Sequence, residues 1–293
     1  LIYGKSDERF HIAGGNEQLP NAIADYVGRQ NVNLGWAMQS IKTNADGTVS
    51  MQFSTPGKRQ TVTADHVILA LPFAVLRTLD YAGANFDTRK KTAIKELGAG
   101  KNGKLQLQFK TRYWNSLGAN GNLYSDLGLQ SGWDVTRGQS GTTGIVVDYS
   151  GGNVSAALTP STPYSNISTN PQVATYAQAT LGRLETLFPG ISKQWNGKAS
   201  LSTPFRDPNL NLAYSYWKPG QYVGFSGSAG AAPGNIHLPA EPCSPDVQGH
   251  LEGVAAGAGP AGGYTPTAAQ ASSPPRLARR AVPRASAGPR PPL

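Results

Sequence analysis

The chain has 293 residues, of which 39% are hydrophobic and 15% charged, so it can bury a substantial core as one large or two ordinary domains. Its formal charge of +9 does not indicate nucleic-acid binding, because five of the arginines lie beyond Gly253 and no stripe of basic and aromatic residues runs through the rest of the chain. The single cysteine, Cys243, excludes an intramolecular disulfide framework, and the four histidines have no paired ligand spacing, so we expect no metal site.

The first quarter of the chain predicts one helix and several strands. The turn Gly14-Gly15-Asn16 precedes a short amphipathic helix with Leu19, Ile23 and Val27 at four-residue spacing. Four strand-like segments separated by turns follow, at 32–41, 48–54, 60–64 and 66–72. The last of these is a compact apolar run that ends at a proline, and it predicts a strand buried on both faces.

The middle of the chain is rich in Gly, Ser, Asn and Thr and predicts a separate lobe. The pattern over residues 88–97 predicts a helix with one apolar and one basic face, and we expect its lysines to face water. The segment from Lys104 to Phe109 alternates strictly and predicts a half-buried strand. A strand at 144–149, a helix at 171–187 and strand-like segments at 195–201 and 222–226 complete the predicted elements.

Residues beyond about 255 are dominated by Pro, Ala, Gly and Arg without hydrophobic periodicity, which predicts a disordered tail. No apolar run approaches the roughly 20 residues that span a bilayer. The first residue is Leu1 rather than a start methionine, so we expect the true N-terminus to be missing. The localisation therefore stays open between the cytoplasm and export.

Five segments, in this order, resemble bacterial flavin monoamine oxidases: 14–20, 67–76, 97–104, 214–220 and 235–253. The last segment is similar to the motif that closes the flavin site of that family. Glu241, Gln248, Gly249 and Gly253 match it, whereas prolines stand where the family has a glycine turn. The similarity extends over about residues 1–254.

The resemblance implies an α/β (α+β) fold, in which a doubly wound FAD-binding domain is built from discontinuous segments and carries an inserted, strand-rich substrate domain. By this resemblance residues 1–78 and 203–254 belong to the FAD-binding domain, 79–202 to the substrate-binding domain and 255–293 to the tail. The Gly-rich dinucleotide fingerprint of the family is expected before Leu1, so we expect this chain to be a fragment that lacks it.

The chemistry implied by the resemblance is the oxidation of an amine. A hydride equivalent leaves the carbon beside the nitrogen for a non-covalently bound FAD, water hydrolyses the imine to an aldehyde and ammonia, and oxygen becomes hydrogen peroxide. The implied partners are a small-molecule amine and oxygen. Ala213 stands where some relatives have the residue that links flavin covalently, which implies non-covalent FAD.

The resemblance also assigns site residues. Lys104 matches the lysine that holds a water near the reactive flavin nitrogen, and Tyr214 and His250 match two aromatic walls around the substrate amine. The expected cofactor-binding residues are Glu241, Met38, Gly249, Leu251 and Gly15. Each has a structural alternative: Lys104 as a surface lysine on a strand edge, Glu241 as a solvated loop residue, and the Met38 side chain as core.

Two other functions stay open at this point. One is a catalytically inactive remnant that acts as a folded binding module without FAD, and the other is a secreted strand-rich binding module. The sequence does not choose among a primary monoamine, a polyamine and an amino acid as substrate. An amino acid would require an arginine for its carboxylate, and Arg112, Arg137 and Arg206 are the candidates.

Overall fold

The computed structural model describes residues 12–226 and 234–239, which form a mixed assembly of helices and sheets, as the sequence predicts. The strands are β1 (Ala37–Thr43), β2 (Val49–Thr55), β3 (Lys58–Ala64), β4 (Val67–Ile68), β5 (Gly98–Ala99), β6 (Gly103–Phe109), β7 (Leu123–Tyr124), β8 (Ser131–Asp134), β9 (Gly144–Ser150), β10 (Tyr164–Asn166), β11 (Trp195–Ser202), β12 (Ser215–Tyr216) and β13 (Ile236–His237). The α-helices are α1 (Gln18–Val27), α2 (Phe73–Leu76), α3 (Thr88–Glu96), α4 (Gly152–Ala156), α5 (Gln172–Leu187) and α6 (Gln221–Phe225).

The first three strands form an antiparallel sheet in the order β1-β2-β3. The turns between them are the two that the sequence predicts, because Gly47 (φ 86°) and Gly57 (φ 83°) adopt the left-handed conformation that glycine tolerates best. The first strand begins at Ala37 rather than at Val32. A 3₁₀ turn over Arg29–Asn31 and a left-handed Gly35 (φ 75°) delay it.

A first hydrophobic core joins distant parts of the chain. The strand β13 pairs in parallel with β4, and the amide of Val67 donates to the carbonyl of Asn235 at 2.9 Å. Ile236 and Leu238 are buried in the same cluster as Ile41, Phe73 and further apolar residues of the first hundred positions. The described start of segment 235–253, which is called the closing segment from here on, is therefore anchored on the N-terminal half of the chain.

The strand predicted over 66–72 is shorter and more exposed than its composition indicates. Only Val67 and Ile68 are strand, and Ile68 is 47% exposed whereas Val67 is buried. The prediction that this run is buried on both faces is therefore wrong within the described residues. An apolar run alone does not reveal which of its faces meets a partner.

The helix α3 has the predicted bounds but not the predicted solvation. Lys90 is only 1% exposed, so the expectation that the lysines of this helix face water is wrong at this position. The cause is helical spacing: Lys90 lies three and four residues before Ala93 and Ile94, which are both in the first core. A long aliphatic stem allows a lysine to occupy such a position.

A six-stranded antiparallel sheet, ordered β10-β11-β6-β9-β8-β7, forms the second half of the described fold. The helix α5 packs on one face, where Val173, Leu181 and Leu184 share a hydrophobic cluster with Leu105 and Leu107 of β6. The predicted helix over 171–187 and the strands at 104–109, 144–149 and 195–201 are confirmed. The short strands β7, β8 and β10 were not predicted, because few apolar residues mark them.

The segment 222–226 is a helix and not the predicted strand. It belongs to α6, which begins after a left-handed Gly220 (φ 79°) and whose Gln221 side chain accepts a hydrogen bond from the amide of Lys218 at 3.0 Å. A short apolar run is compatible with either structure, so its neighbours decide.

The predicted domain boundaries at 78, 202 and 254 stay a prediction. The disordered tail predicted for 255–293 lies outside the described residues, as does Cys243. Among the helices of the described ranges, none has the length and apolar character required to cross a membrane.

Candidate functional site

The sheet face opposite α5, here called the open face, is the main candidate surface. Side chains alternate along a strand, so Leu105, Leu107 and Phe109 point to the buried cluster while the residues between them point away. Cross-strand neighbours share a face, and the register therefore extends the open face to both sides of β6. Its side chains belong to Lys104, Gln106, Gln108, Tyr124, Ser131, Trp133, Ile145, Val147, Tyr149, Tyr164, Asn166, Lys198, Ser200 and Ser202.

Lys104 occupies a central position on this face. Its strand β6 lies between β11 and β9, with Ser202 and Tyr149 directly opposite, so the alternative of a lysine on a sheet edge is wrong. The ammonium group lies 5.5 Å from the centroid of the Tyr149 ring. Trp133 meets the same ring edge-on at a centroid distance of 5.6 Å. An exposed cation thus stands beside a pair of aromatic rings.

Tyr214 lies close to the same end of β6. The amide of Gly100 donates to the carbonyl of Tyr214, and the amide of Ala213 donates to the carbonyl of Gly100, both at 2.8 Å. A Cβ atom on Gly100 would stand 2.9 Å from the Tyr214 carbonyl oxygen, so only glycine permits this approach. Lys104 follows Gly100 by four residues, which span at most about 14 Å of extended chain. The backbone of Tyr214 is therefore held at Gly100, three residues before the start of β6.

The two other described site residues lie on other elements, Met38 in β1 and Gly15 in the turn before α1. Met38 is half-buried in β1, opposite Phe53, and its side chain packs against the first core. A register shift between Met38 and Ser40 interrupts the ladder there. Gly15 is exposed in the turn before α1, with φ 107° and no atom within 4 Å of the place of a Cβ. Its conformation explains the glycine, and its predicted cofactor contact stays a prediction.

Four predicted site residues lie outside the described ranges: Glu241, Gly249, His250 and Leu251. The described part of the closing segment ends at Pro239, just after β13. His237 in that strand is 5% exposed, and its Nε2 lies 3.3 Å from Nδ1 of His66. Burial and the neighbouring His66 lower the pKa of His237. Sequence reasoning missed this pair because the two residues come together only through the parallel pairing.

The three arginines considered for a substrate carboxylate all bind the protein itself. Arg112 donates to the carbonyl oxygens of Thr136 and Gln139 at 3.0 and 2.9 Å. Arg137 donates to the carbonyl of Asn120 at 2.9 Å, and Arg206 to those of Leu158 and Ala156 at 2.8 and 2.9 Å. Each guanidinium therefore fixes a neighbouring segment of the chain.

The charge of the open face is positive in the described structure. Lys104 and Lys198 are its charged residues, and none of its own side chains is acidic. At its margin, Asp207 accepts a hydrogen bond from Tyr164, and burial together with this carboxylate raises the pKa of the phenol. Asp148 points to the opposite, α5 side, where burial raises its pKa despite hydrogen bonds from Ser150 and Thr180.

Two rings on the open face, Tyr149 and Trp133, were not identified from the sequence. The predicted strand at 144–149 places Tyr149 on one of two faces, but its pairing with Lys104, 45 residues earlier in the chain, depends on the register between the two strands. Trp133 lies in a strand that the sequence did not reveal. In the described ranges, no group of three or more His, Cys, Asp or Glu residues could hold a metal ion.

Comparison with known families gives a match over most of the chain. The family model described as flavin containing amine oxidoreductase matches residues 2–257. The putative L-amino-acid oxidase YobN of Bacillus subtilis (strain 168) is 26% identical over 154 residues, which are 51% of this chain and 32% of that protein.

Solved structures share the fold. Cyclohexylamine oxidase from Brevibacterium oxydans IH-35A superposes with a TM-score of 0.70 at 19% identity over 85% of this chain. Wild-type putrescine oxidase bound to putrescine gives 0.68 at 18% identity over the same share. The chain spans 52% of each of these two proteins, so it covers about half of their length.

Proposed function

We propose that this chain, which belongs to the family of flavin-containing amine oxidoreductases, contributes the substrate side of a site that oxidises an amine with FAD. The reaction converts the amine to an imine, which water hydrolyses to ammonia and a carbonyl compound, and oxygen is reduced to hydrogen peroxide. The carbonyl compound is an aldehyde for an amine such as benzylamine and a ketone for cyclohexylamine. The observation that carries the proposal is the position of Lys104, whose exposed ammonium stands on the open face near the segment that holds Tyr214.

The chemistry of the described residues fits a flavin. When bound, FAD accepts a hydride equivalent from the substrate carbon. A flavin ring gains negative charge on reduction, and an ammonium is the group that stabilises such charge. Lys104 would lie beside the ring, and the main chain at Met38 would contact the adenine. Because position 213 is alanine, we propose that the cofactor is held without a covalent link.

Tyr214 and Lys104 have different tasks in this proposal. The ring of Tyr214 attracts an amine nitrogen through its π face and shields it from water. Lys104 supplies a fixed positive charge and holds a water molecule through its N–H donors. The close approach of Gly100 to the Tyr214 backbone fixes the position of Tyr214 relative to the start of β6. His250 is the proposed second ring of the amine cage.

The charge of the open face favours a monoamine with an uncharged body. A diamine would bring a second ammonium to a face that already carries Lys104 and Lys198, and like charges in such a setting repel. The guanidinium groups of the three arginines considered for an amino-acid carboxylate already donate to carbonyl oxygens, and Lys104 is assigned to the flavin in this proposal, which leaves Lys198 as the cation of the open face for such a carboxylate. Primary monoamines with an uncharged body are therefore the proposed substrates, and cyclohexylamine and benzylamine represent them in the test below.

The test begins with the purified full chain and added FAD. Bound flavin is measured by its visible absorbance after gel filtration, and peroxide release is measured with cyclohexylamine, benzylamine, putrescine and L-leucine. We expect peroxide with the two cyclic amines, at least about tenfold less with putrescine or L-leucine, and a loss of activity in Lys104→Met. Lys110→Met, one residue beyond the other end of the same strand, is the matched control.

A different outcome would favour a different function. Protein that stays colourless after incubation with FAD, while remaining folded by circular dichroism, contradicts the proposal and supports the alternative of a folded binding module without cofactor. Peroxide release that is fastest with L-leucine would keep the flavin chemistry but overturn the choice of a monoamine.

A further inference from the structure

The ammonium group of Lys104 has one partner within the described residues, and that partner is an aromatic ring. Its Nζ atom lies 5.5 Å from the centroid of Tyr149, within the distance at which a ring face attracts a cation. The two residues are directly opposite each other in the register of β6 and β9. The contact is thus built into the sheet rather than into a loop.

Tyr149 is itself held from two directions. The indole of Trp133 packs against it with an interplanar angle of 69°, the edge-to-face arrangement that aromatic pairs prefer. The hydroxyl of Ser131, its neighbour on β8, donates to the Tyr149 carbonyl oxygen at 2.9 Å. Side chain and backbone of Tyr149 therefore both have fixed partners, which makes the ring a rigid support.

Lys198 gives an internal comparison on the same face. It lies on the neighbouring strand β11, opposite Gln108, and it is exposed like Lys104. Among the described residues no ring lies over its ammonium group. A lysine side chain has a flexible four-carbon stem, so without such a support its charge occupies many positions.

We propose that Tyr149, supported by Trp133, is a positioning residue that holds the ammonium of Lys104 in place for the amine oxidation proposed above, on which this inference rests. The attraction is between the cation and the π system of the ring, which tyrosine and phenylalanine share. Phenylalanine at position 149 should therefore replace tyrosine, whereas leucine, which is apolar but has no ring, should not.

The contact is tested without any cofactor. The lysines of the full chain are labelled by reductive ¹³C-methylation, and Lys104→Arg identifies the signal of Lys104 by its disappearance. We expect ring currents to shift that signal upfield from that of Lys198 in the wild type and in Tyr149→Phe, but not in Tyr149→Leu. Tyr124→Leu, a change of an exposed ring on the same face, is the control and should leave the shift intact. An unchanged Lys104 signal in folded Tyr149→Leu would overturn the contact.

The role is tested in the FAD-loaded chain by following the oxygen-dependent return of flavin absorbance after reduction by cyclohexylamine. We expect Tyr149→Leu to slow this step about tenfold, as removal of one stabilising contact of moderate strength would, and Tyr149→Phe to retain most of the rate. A lost NMR shift with an unchanged rate would overturn the positioning role. Failure to bind FAD or to release peroxide counts against the proposed function, while the NMR result still decides whether Tyr149 holds Lys104.

Discussion

We expect the protein to lose stability in mild acid, because the imidazoles of His66 and His237 lie side by side. Their ring nitrogens are 3.3 Å apart, so one ring must stay neutral to accept a hydrogen bond from the other. Burial of His237 and the nearby His66 lower the pKa of His237 below its ordinary value. A base with a lowered pKa in the folded state contributes stability above its unfolded pKa and loses it as the pH falls through the folded pKa.

The magnitude follows from the geometry. The two ring centroids are 5.5 Å apart. Two unit charges at that separation repel by about 3 kcal/mol at an effective dielectric constant of about 20, and by less than about 1 kcal/mol in bulk water. Because His66 is partly exposed, we expect the pair to lower the free energy of unfolding by about 1–3 kcal/mol between pH 7.5 and pH 5.

The assay is urea denaturation followed by tryptophan fluorescence at both pH values, for the wild type and for His237→Gln. The variant keeps polar atoms at position 237 but has no ionisable ring there. The decrease in its free energy of unfolding from pH 7.5 to pH 5 should therefore be smaller than that of the wild type by about 1–3 kcal/mol. The two other histidines, His11 and His250, are present in both proteins and cancel in the comparison. An equal pH dependence in the two proteins would refute the reasoning.

Three further substitutions test the hydrogen bonds of Arg77, the buried position of Leu107 and the close approach of Gly100 to Tyr214. Arg77→Met removes two hydrogen bonds, at 3.0 and 2.9 Å, to carbonyl oxygens at the end of α3, and it should lower the free energy of unfolding measured by urea denaturation by about 2–4 kcal/mol. A decrease below about 0.5 kcal/mol would contradict this prediction. Leu107→Ala empties a fully buried position beneath α5 and should cost about 2–5 kcal/mol, and a smaller loss would mean that the cavity collapses. Gly100→Ala should lower the free energy of unfolding by about 1–3 kcal/mol, because the added Cβ meets the Tyr214 backbone. The control is Gly182→Ala, in an open position of α5, which should be neutral or stabilising. Similar effects of the two changes would contradict the close approach of Gly100 to Tyr214.

The candidate site was predictable where a local pattern carries it. The strict alternation around Lys104 predicts a half-buried strand, and the structure places that strand at the centre of a sheet. Membership of the flavin-containing amine oxidoreductase family follows from the order of motifs along the chain and is confirmed by the family match. The roles of Glu241, Gly249, His250 and Leu251 stay predictions, since these residues lie outside the described ranges.

Local patterns failed where burial depends on a distant partner. Ile68 looked like core because its neighbours are apolar, yet Val67 and Leu69 on either side of it face the first core and Ile68 is exposed. Lys90 looked solvated because lysines usually are, yet helical spacing places it beside Ala93 and Ile94. The helix at Gln221–Phe225 looked like a strand because five residues are too few for the hydrophobic period to distinguish the two structures.

The sequence by itself determined the lineage, the mixed fold class and the long periodic elements, because these depend on residue types at fixed spacing. Only the tertiary structure decided which ring supports Lys104, which segment approaches Gly100 and that His66 meets His237. The physical reason is register. A shift of one residue between paired strands would turn every side chain to the other face, and no local pattern specifies that alignment across 45 or 171 residues of chain.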